Sequence, residues 1–364
     1  MAYKQAIGML IATLLFSSCA EAQKKSTNKE LFHPTDTNIQ YIGRIDYSDP
    51  MHLAFTYPGV QIRTGFTGTS LDMMCKIQSG YFMVEIDGGK PFKVSFLGNT
   101  IVKLADDLED GTHQVVATYI NEGYERQPEF HGFFVNRGET LAPATNVPTR
   151  KIEFIGNSIT CGYGIEAQSP DEPYQDETAN YYYTYAAQTA RRLNAQAVVV
   201  ARSGIGVYRS YNGPQTGDAV NINTEYPYTL LYNNKVEWDF TRYTPDVVCI
   251  NLGTNDVSTK GADSKLLLDG FKQLYHQVRS HYPKAKIVLL SGCMMTGEGL
   301  KMAKDAMDGT VAYAETQGDK QVYRFDFPPQ DGSLGIGLHG HPTLRQHTKM
   351  ADELTAYLKE LMKW

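Results

Sequence analysis

Three signatures are missing from this chain, and each absence weighs against a class of chemistry. There is no P-loop, so phosphate-driven nucleotide chemistry is not indicated. There is no His-Glu-x-x-His, and the close pair His339 and His341 has no third ligand cluster to join it, so no metal and no other cofactor is expected. There is no Gly-x-Ser-x-Gly elbow, which argues against an ordinary α/β-hydrolase. Like charges form no runs, and the formal net charge of -6 disfavours nucleic acid and anionic membrane as main partners. The 5 cysteines (Cys19, Cys75, Cys161, Cys249 and Cys293) lie far apart with no paired spacing, so no disulfide is required. Cys249 and Cys293 fall in or at the end of apolar runs and read as small buried residues. The N-terminal apolar run from Ala6 to Phe16 is too short to span a membrane.

That run has a different meaning. Lys4 precedes it and Ser17-Ser18-Cys19-Ala20-Glu21-Ala22 follows it. A basic start, a short apolar core and a small-residue site make a secretory leader over residues 1–22. Two processing routes are open. Ala20-Glu21-Ala22 suits cleavage before Gln23, whereas Ser17-Ser18-Cys19 resembles a bacterial lipobox that would leave a lipid anchor on Cys19. By either route the expected location is outside the cytoplasm, as a secreted, periplasmic or outer-surface lipoprotein of a bacterium. Disulfides are permitted there.

The remaining chain, with 364 residues in all, has room for one or two domains and changes its periodicity once. Residues 33–138 read as all-β. Short alternating runs such as Tyr81–Asp87 and Gln114–Tyr119 are separated by turn signals at Tyr57-Pro58-Gly59, Thr67-Gly68-Thr69, Asp87-Gly88-Gly89 and Asp110-Gly111. Strands at that spacing predict a sandwich or jelly roll. Residues 139–149, rich in Pro, Thr and Ala without periodicity, are the expected linker. From residue 150 to 364 the pattern alternates. Ile152–Ile155, Ala197–Ala201, Val247–Leu252, Ile287–Leu290 and Val322–Phe325 are strand candidates, with helical spacing between and after them, as in Tyr182 to Leu193 and Leu344 to Leu361. Continuous apolar strands separated by helices predict an α/β domain whose parallel sheet is covered on both faces.

In such a sheet, sites gather beyond the carboxyl ends of the strands. Three strand candidates run straight into glycine-bearing polar loops: Gly156-Asn157-Ser158, Arg202-Ser203-Gly204-Ile205-Gly206 and Gly253-Thr254-Asn255-Asp256. A fourth element, His339-Gly340-His341-Pro342, precedes the last helix. Each part has a plain reading as a cap or a turn. Together they supply what acyl transfer needs. Ser158 would be the nucleophile, which requires an adjacent base. Ser158 and Gly204 can offer backbone N–H groups, and Asn255 an amide, to the oxyanion, where one fixed donor is worth about 3–4 kcal/mol. His341 would be the base. Pro342 suits a first helical position, which puts His341 near an N-cap, where the helix dipole would keep it neutral. His339 and His347 are weaker rivals for that role.

These four blocks, in this order, resemble those of the SGNH/GDSL hydrolase superfamily. The longer run from Gly156 to Gly164, with the β domain ahead of it, is similar to carbohydrate esterase family 2. The resemblance covers nearly the whole mature chain. It implies a jelly roll packed on a flavodoxin-like hydrolase domain, with O-deacetylation of plant polysaccharides or their fragments. It also implies Ser158 as nucleophile, Gly204 and Asn255 as oxyanion donors and His341 as base. Two positions depart from the superfamily pattern. Asn157 stands where Asp is common. Leu338 stands three residues before the histidine, where the acid of a triad usually lies, so no local carboxylate can orient His341. Members of family 2 can work with a Ser–His dyad, in which a main-chain carbonyl holds the imidazole N–H. Asp331 is the alternative acid.

Other residues take lesser roles in this reading. Asp256 is expected to tie down its own loop, and Cys161 to pack. Tyr163, Tyr208 and Tyr211 fall in loops beside the blocks, where they could meet sugar rings, while Tyr181–Tyr183 and Tyr185 are expected on a helix and Trp238 in the core or between domains. The expectation is thus a serine esterase acting on an acetylated carbohydrate. A lipase- or thioesterase-like hydrolase of the same superfamily, and a carbohydrate-binding protein over an inactive hydrolase domain, are the alternatives.

Overall fold

The computed structural model describes residues 28–364; the expected leader, including Cys19, lies outside the described residues. Eleven strands build the first domain: β1 (Lys29–Phe32), β2 (Gln40–Ile42), β3 (Leu53–Ala54), β4 (Gln61–Thr67), β5 (Leu71–Cys75), β6 (Tyr81–Ile86), β7 (Phe92–Ser95), β8 (Ile101–Ala105), β9 (Thr112–Tyr119), β10 (Glu129–Asn136) and β11 (Leu141–Ala142). They form two antiparallel sheets, β1-β10-β5-β8 with β3 on β10, and β11-β4-β9-β6-β7 with β2 on β4. Alternate residues of both sheets meet in one core: Ile62, Phe66, Phe82, Val115 and Ala117 from one, and Leu71, Met73, Phe130 and Phe133 from the other. This is the sandwich that the two-residue alternation predicts. The stretch expected as a linker is partly sheet, because Leu141 and Ala142 pair with Phe66 and Gly65.

The second region holds β12 (Arg150–Gly156), α1 (Ser158–Cys161), α2 (Tyr185–Arg192), β13 (Ala195–Ala201), α3 (Ile222–Glu225), β14 (Tyr228–Leu230), β15 (Asn233–Glu237), β16 (Val247–Asn251), α4 (Thr254–Val257), α5 (Ser264–His281), β17 (Lys286–Ser291), α6 (Gly297–Thr316), β18 (Val322–Asp326) and α7 (Leu344–Met362). The main sheet runs β13-β12-β16-β17-β18 and is parallel throughout. Its strands are apolar on both faces because each face has helices over it. Ile155, Val248, Ile250 and Leu289 pack with Leu267, Phe271 and Leu274 of α5 and Met307 of α6. Phe154, Val199, Cys249 and Val288 pack with Ala186 and Ala190 of α2 and Met350, Leu354 and Leu358 of α7. The tyrosines before α2 depart from expectation. Tyr181–Tyr183 form a separate 3-10 turn, broken from α2 by the extended Thr184, which caps α2 by accepting from the Ala187 N–H.

The two domains are joined by polar contacts from one end of the sandwich. The Ile120 carbonyl accepts from the Tyr181 N–H at 3.1 Å. The Asn121 amide donates to the Asp176 carbonyl at 2.7 Å, and Arg126 meets the Asp176 carboxylate at 2.6 Å. Trp238 is buried with Val198, Tyr243 and Ile42 of β2, and so serves both expected roles, core and interdomain contact.

Candidate active site

The first strand, β12, has β13 on one side and β16 on the other, so the loops that leave these three strands converge where the strand order reverses. Ser158 follows β12, Gly204 follows β13 and Asn255 follows β16, and all three line one cavity of about 440 Å³ with His341. That volume lies in the range of small-molecule sites.

Ser158 is the first residue of α1, and the capping is done by Asn157, whose side chain accepts from the Ile159 N–H at 3.0 Å. The plain reading of Ser158 as a cap therefore does not apply. Gly162 closes the turn at φ 81°, and an added Cβ there would sit 2.5 Å from the Asn180 carbonyl oxygen, so only glycine fits. The Ser158 Oγ lies 2.8 Å from His341 Nε2, and His341 Nδ1 lies 3.0 Å from the Leu338 carbonyl. With Nδ1–H donating to that carbonyl, Nε2 is left to accept from the serine hydroxyl. The residue that stands where an acid was sought thus meets the histidine through its backbone. Asp331 is turned elsewhere: it is exposed, and its carboxylate accepts from the Ser333 N–H and hydroxyl at 2.9 and 2.6 Å.

His341 is held well below the usual histidine range, at about 4, first by burial and then by the nearby His339, against the bond to Leu338. Helix position is not the cause. Thr343 caps α7 by accepting from the Gln346 N–H, so His341 stands two residues ahead of the cap and Pro342 precedes the helix rather than opening it. The imidazole is also stacked. The Tyr163 ring lies 4.4 Å from it at 29°, and Tyr174 lies 4.5 Å behind Tyr163 at 20°. The Tyr163 hydroxyl bonds His339 Nδ1 at 3.0 Å. His339 lines the cavity from a left-handed backbone at φ 50°, and it does not contact Ser158 in place of His341. His347 is buried in the core, accepts from the Tyr185 N–H at 3.1 Å and is lowered to about 3 by burial.

Two other expectations need correction. Tyr208 does not reach the cavity; it is packed in the core, where its hydroxyl accepts from the Asp263 N–H at 3.0 Å. Asp256 is structural, but it ties a neighbouring loop rather than its own. Its buried carboxylate accepts from the N–H groups of Val207, Tyr208 and Arg209 at 3.0–3.2 Å. Burial raises its pKa, and those backbone bonds oppose the rise. Cys161 is buried in α1 with its thiol pushed well up by burial, which suits packing and not nucleophilic use. Among the described residues no three His, Cys, Asp or Glu side chains gather as a metal site.

The cavity also has walls that motif reading did not supply. Ser203, Thr254, Ser258 and Met294 line it together with Tyr211. Ser203 lies within Arg202–Gly206, whose glycines mark a turn without singling out the serine. Met294 follows β17, and the rule that sites gather beyond strand ends was the signal available for it. Glu122, which binds Ser203, comes from the sandwich and had no local signal at all.

The sheet order, the serine after the first strand and the histidine ahead of the last helix define a serine hydrolase of the GDSL type. Residues 154–344 match the GDSL-like Lipase/Acylhydrolase family, and residues 41–144 match the family described as Carbohydrate esterase 2 N-terminal. The chain belongs to family 2 of the carbohydrate esterases, within the GDSL-like hydrolases. It is similar to a cellulase/esterase, CelE, of Acetivibrio thermocellus, at 40% identity over 90% of this chain and 40% of that protein. The chain therefore spans well under half the length of that relative. It is also similar to an acetylxylan esterase / glucomannan deacetylase of Cellvibrio japonicus, at 29% identity over 98% of each. Among solved structures, a family two carbohydrate esterase from Clostridium thermocellum in complex with cellohexaose aligns with a TM-score of 0.83 and 39% identity, over 90% of this chain and 99% of that one.

Proposed function

We propose that this chain is a serine esterase that removes O-acetyl groups from plant-type polysaccharides or oligosaccharides, of the acetylxylan or glucomannan kind, through an acetyl-enzyme. The observation that carries the reading is the 2.8 Å bond from the Ser158 hydroxyl to a neutral, half-buried His341 in a cavity shared with Gly204 and Asn255. In the first half-reaction His341 Nε2 takes the proton as Ser158 Oγ attacks the acetyl carbonyl. The N–H groups of Ser158 and Gly204 and the amide of Asn255 hold the oxyanion, and His341 returns the proton to the departing sugar alcohol. In the second, His341 draws a proton from water as it attacks the acetyl-serine, and it returns that proton to Ser158 Oγ as the ester bond breaks and the acetyl group leaves as acetic acid. Nδ1–H stays on the Leu338 carbonyl throughout, so the main chain holds the ring where a triad would use a carboxylate.

A carbohydrate substrate is supported by the names of the relatives and by the cellohexaose in the aligned structure. Tyr163 and the exposed Tyr211 supply aromatic surface at the cavity. The site of action follows from the expected leader: outside the cytoplasm, with a lipid on Cys19 if the lipobox is used. Ser158→Ala should abolish acetate release from acetylated xylan and turnover of p-nitrophenyl acetate. Near-full activity of that variant would sink the reading. Preference for octanoyl over acetyl esters would instead assign the chain to the lipase-like side of the superfamily.

A further inference from the structure

The loop after β13 has to present the Gly204 N–H in one direction, yet little about Gly204 itself fixes it. Its φ is 79°, a left-handed well that glycine enters and leaves freely. Packing does not confine it either, since the nearest atoms to a Cβ built there are 4.0 Å away. Hydrogen bonds to its neighbours do the confining. The Gly204 carbonyl accepts from the Tyr211 N–H at 2.8 Å, the Asn255 amide donates to the Ile205 carbonyl at 2.8 Å, and Asp256 holds the N–H groups of residues 207–209. On the leading side the tie comes from the other domain. The Glu122 carboxylate accepts from the Ser203 N–H at 2.6 Å and, with its other oxygen, from the Ser203 hydroxyl. Glu122 is itself pinned. Ile120 and Asn121 bond to the hydrolase domain at Tyr181 and Asp176, and the Gly123 N–H donates to the Thr56 carbonyl at 2.7 Å.

We propose that Glu122 of the sandwich is a positioning residue for the oxyanion hole: by gripping both donors of Ser203 it fixes the peptide from which Gly204 presents its N–H. The inference rests on the esterase reading above. It gives the β domain a part in the chemistry beyond any contact with polymer. The oxyanion of the tetrahedral intermediate is where a small displacement costs most, since a misplacement of about 1 Å can lower the rate on the order of a hundredfold. The Ser203 side chain transmits the grip, so removing either partner should loosen the same peptide.

The test uses the full chain with Glu122→Gln, Ser203→Ala and the double variant, on a defined acetylated xylo-oligosaccharide. Phenylboronic acid serves as the second probe, because its tetrahedral adduct on Ser158 places an oxygen at the oxyanion position. Glu122→Gln should lower kcat about 10–100-fold with KM nearly unchanged, and boronate affinity should fall in step. The double variant should be no worse than Glu122→Gln alone, because both changes cut one tie. A folded Glu122→Gln with parental kcat and boronate affinity would overturn the proposal, as would additive losses in the double variant. If Glu122→Gln does not fold, Ser203→Ala decides: parallel loss of kcat and boronate affinity supports the proposal, and parental values overturn it. Failure of the esterase reading looks different, because the wild type then releases no acetate or Ser158→Ala still does.

Discussion

His341 concentrates the residue-scale chemistry. Its ring is half-buried, stacked on Tyr163 and bonded through Nδ1 to a carbonyl, and no carboxylate among the described residues meets it. Burial costs the charged form and lowers its pKa from 6.5 to about 4. Only the neutral ring can take the serine proton, so activity is lost as pH falls through that value, not through 6.5. The expected profile of kcat/KM for p-nitrophenyl acetate is flat from neutrality down to pH 5 and falls toward about pH 4, the lowered His341 pKa. A midpoint of the acid limb near 6.5 would contradict the burial account. Much of this residue was legible beforehand: the His341-Pro342 block marked the base, and Leu338 marked the missing acid. The cause of its neutrality was not. A sequence shows that a helix follows, but it does not show that Thr343 does the capping or that Tyr163 and Tyr174 close over the ring. Tyr208 failed for a related reason, since a loop position beside a motif does not reveal which way the side chain turns.

At the scale of elements, the five parallel strands were legible because both faces of the sheet are covered, which writes a continuous apolar run into each. Glu153 is the exception inside one of those runs: it sits in β12 with its carboxylate buried, raised by burial and held by Arg44 and by the Tyr226 hydroxyl at 2.9 Å. The break between the 3-10 turn at Tyr181–Tyr183 and α2 was hidden because the tyrosines keep helical spacing across it. The loop from Ser203 to Arg209 shows what motif blocks leave out. Its sequence offers glycines, but the bonds that hold its backbone include those to two carboxylates remote in the chain, Glu122 and Asp256. Asp256 accepts from three backbone N–H groups, and leaving one buried donor unsatisfied costs about 1–3 kcal/mol. Asp256→Asn keeps the size of the side chain and gives up part of that acceptance. It is expected to lower the unfolding temperature and, by freeing the loop that carries Gly204, to lower kcat more than it raises KM. Thermal unfolding and steady-state kinetics on the same sample check both, and a variant with unchanged stability would remove Asp256 from its structural role.

Across the whole molecule, a buried ion pair crosses between the domains, and no single-domain reading contains it. Arg44 and Glu153 are both fully buried and lie 3.4 Å apart. The Arg44 guanidinium also donates to the carbonyls of Tyr226 and Tyr228 and faces the rings of Tyr226, Phe240 and Trp238 at 4.8–5.5 Å. Removing one partner leaves the other charge buried, which costs about 3–5 kcal/mol. Arg44→Ala is therefore expected to unfold at markedly lower temperature, while Arg44→Met with Glu153→Leu should recover much of the loss. Equal destabilisation by the single and double changes would show that the aromatic contacts, not the charges, hold the domains. The sandwich and the hydrolase domain were each visible in periodicity. Their union was not, because it depends on residues far apart in sequence that meet only once both domains have formed. The same holds for the site, whose oxyanion loop is gripped from across that boundary. The central claim is that Ser158 carries the acetyl group in turn with His341. Rapid acid quench of the wild type during turnover of an acetyl ester, followed by peptide mass spectrometry, tests it directly. The expected result is one acetyl group on the peptide bearing Ser158. Acetyl on another peptide, or full turnover with no acetyl-enzyme at all, would contradict it.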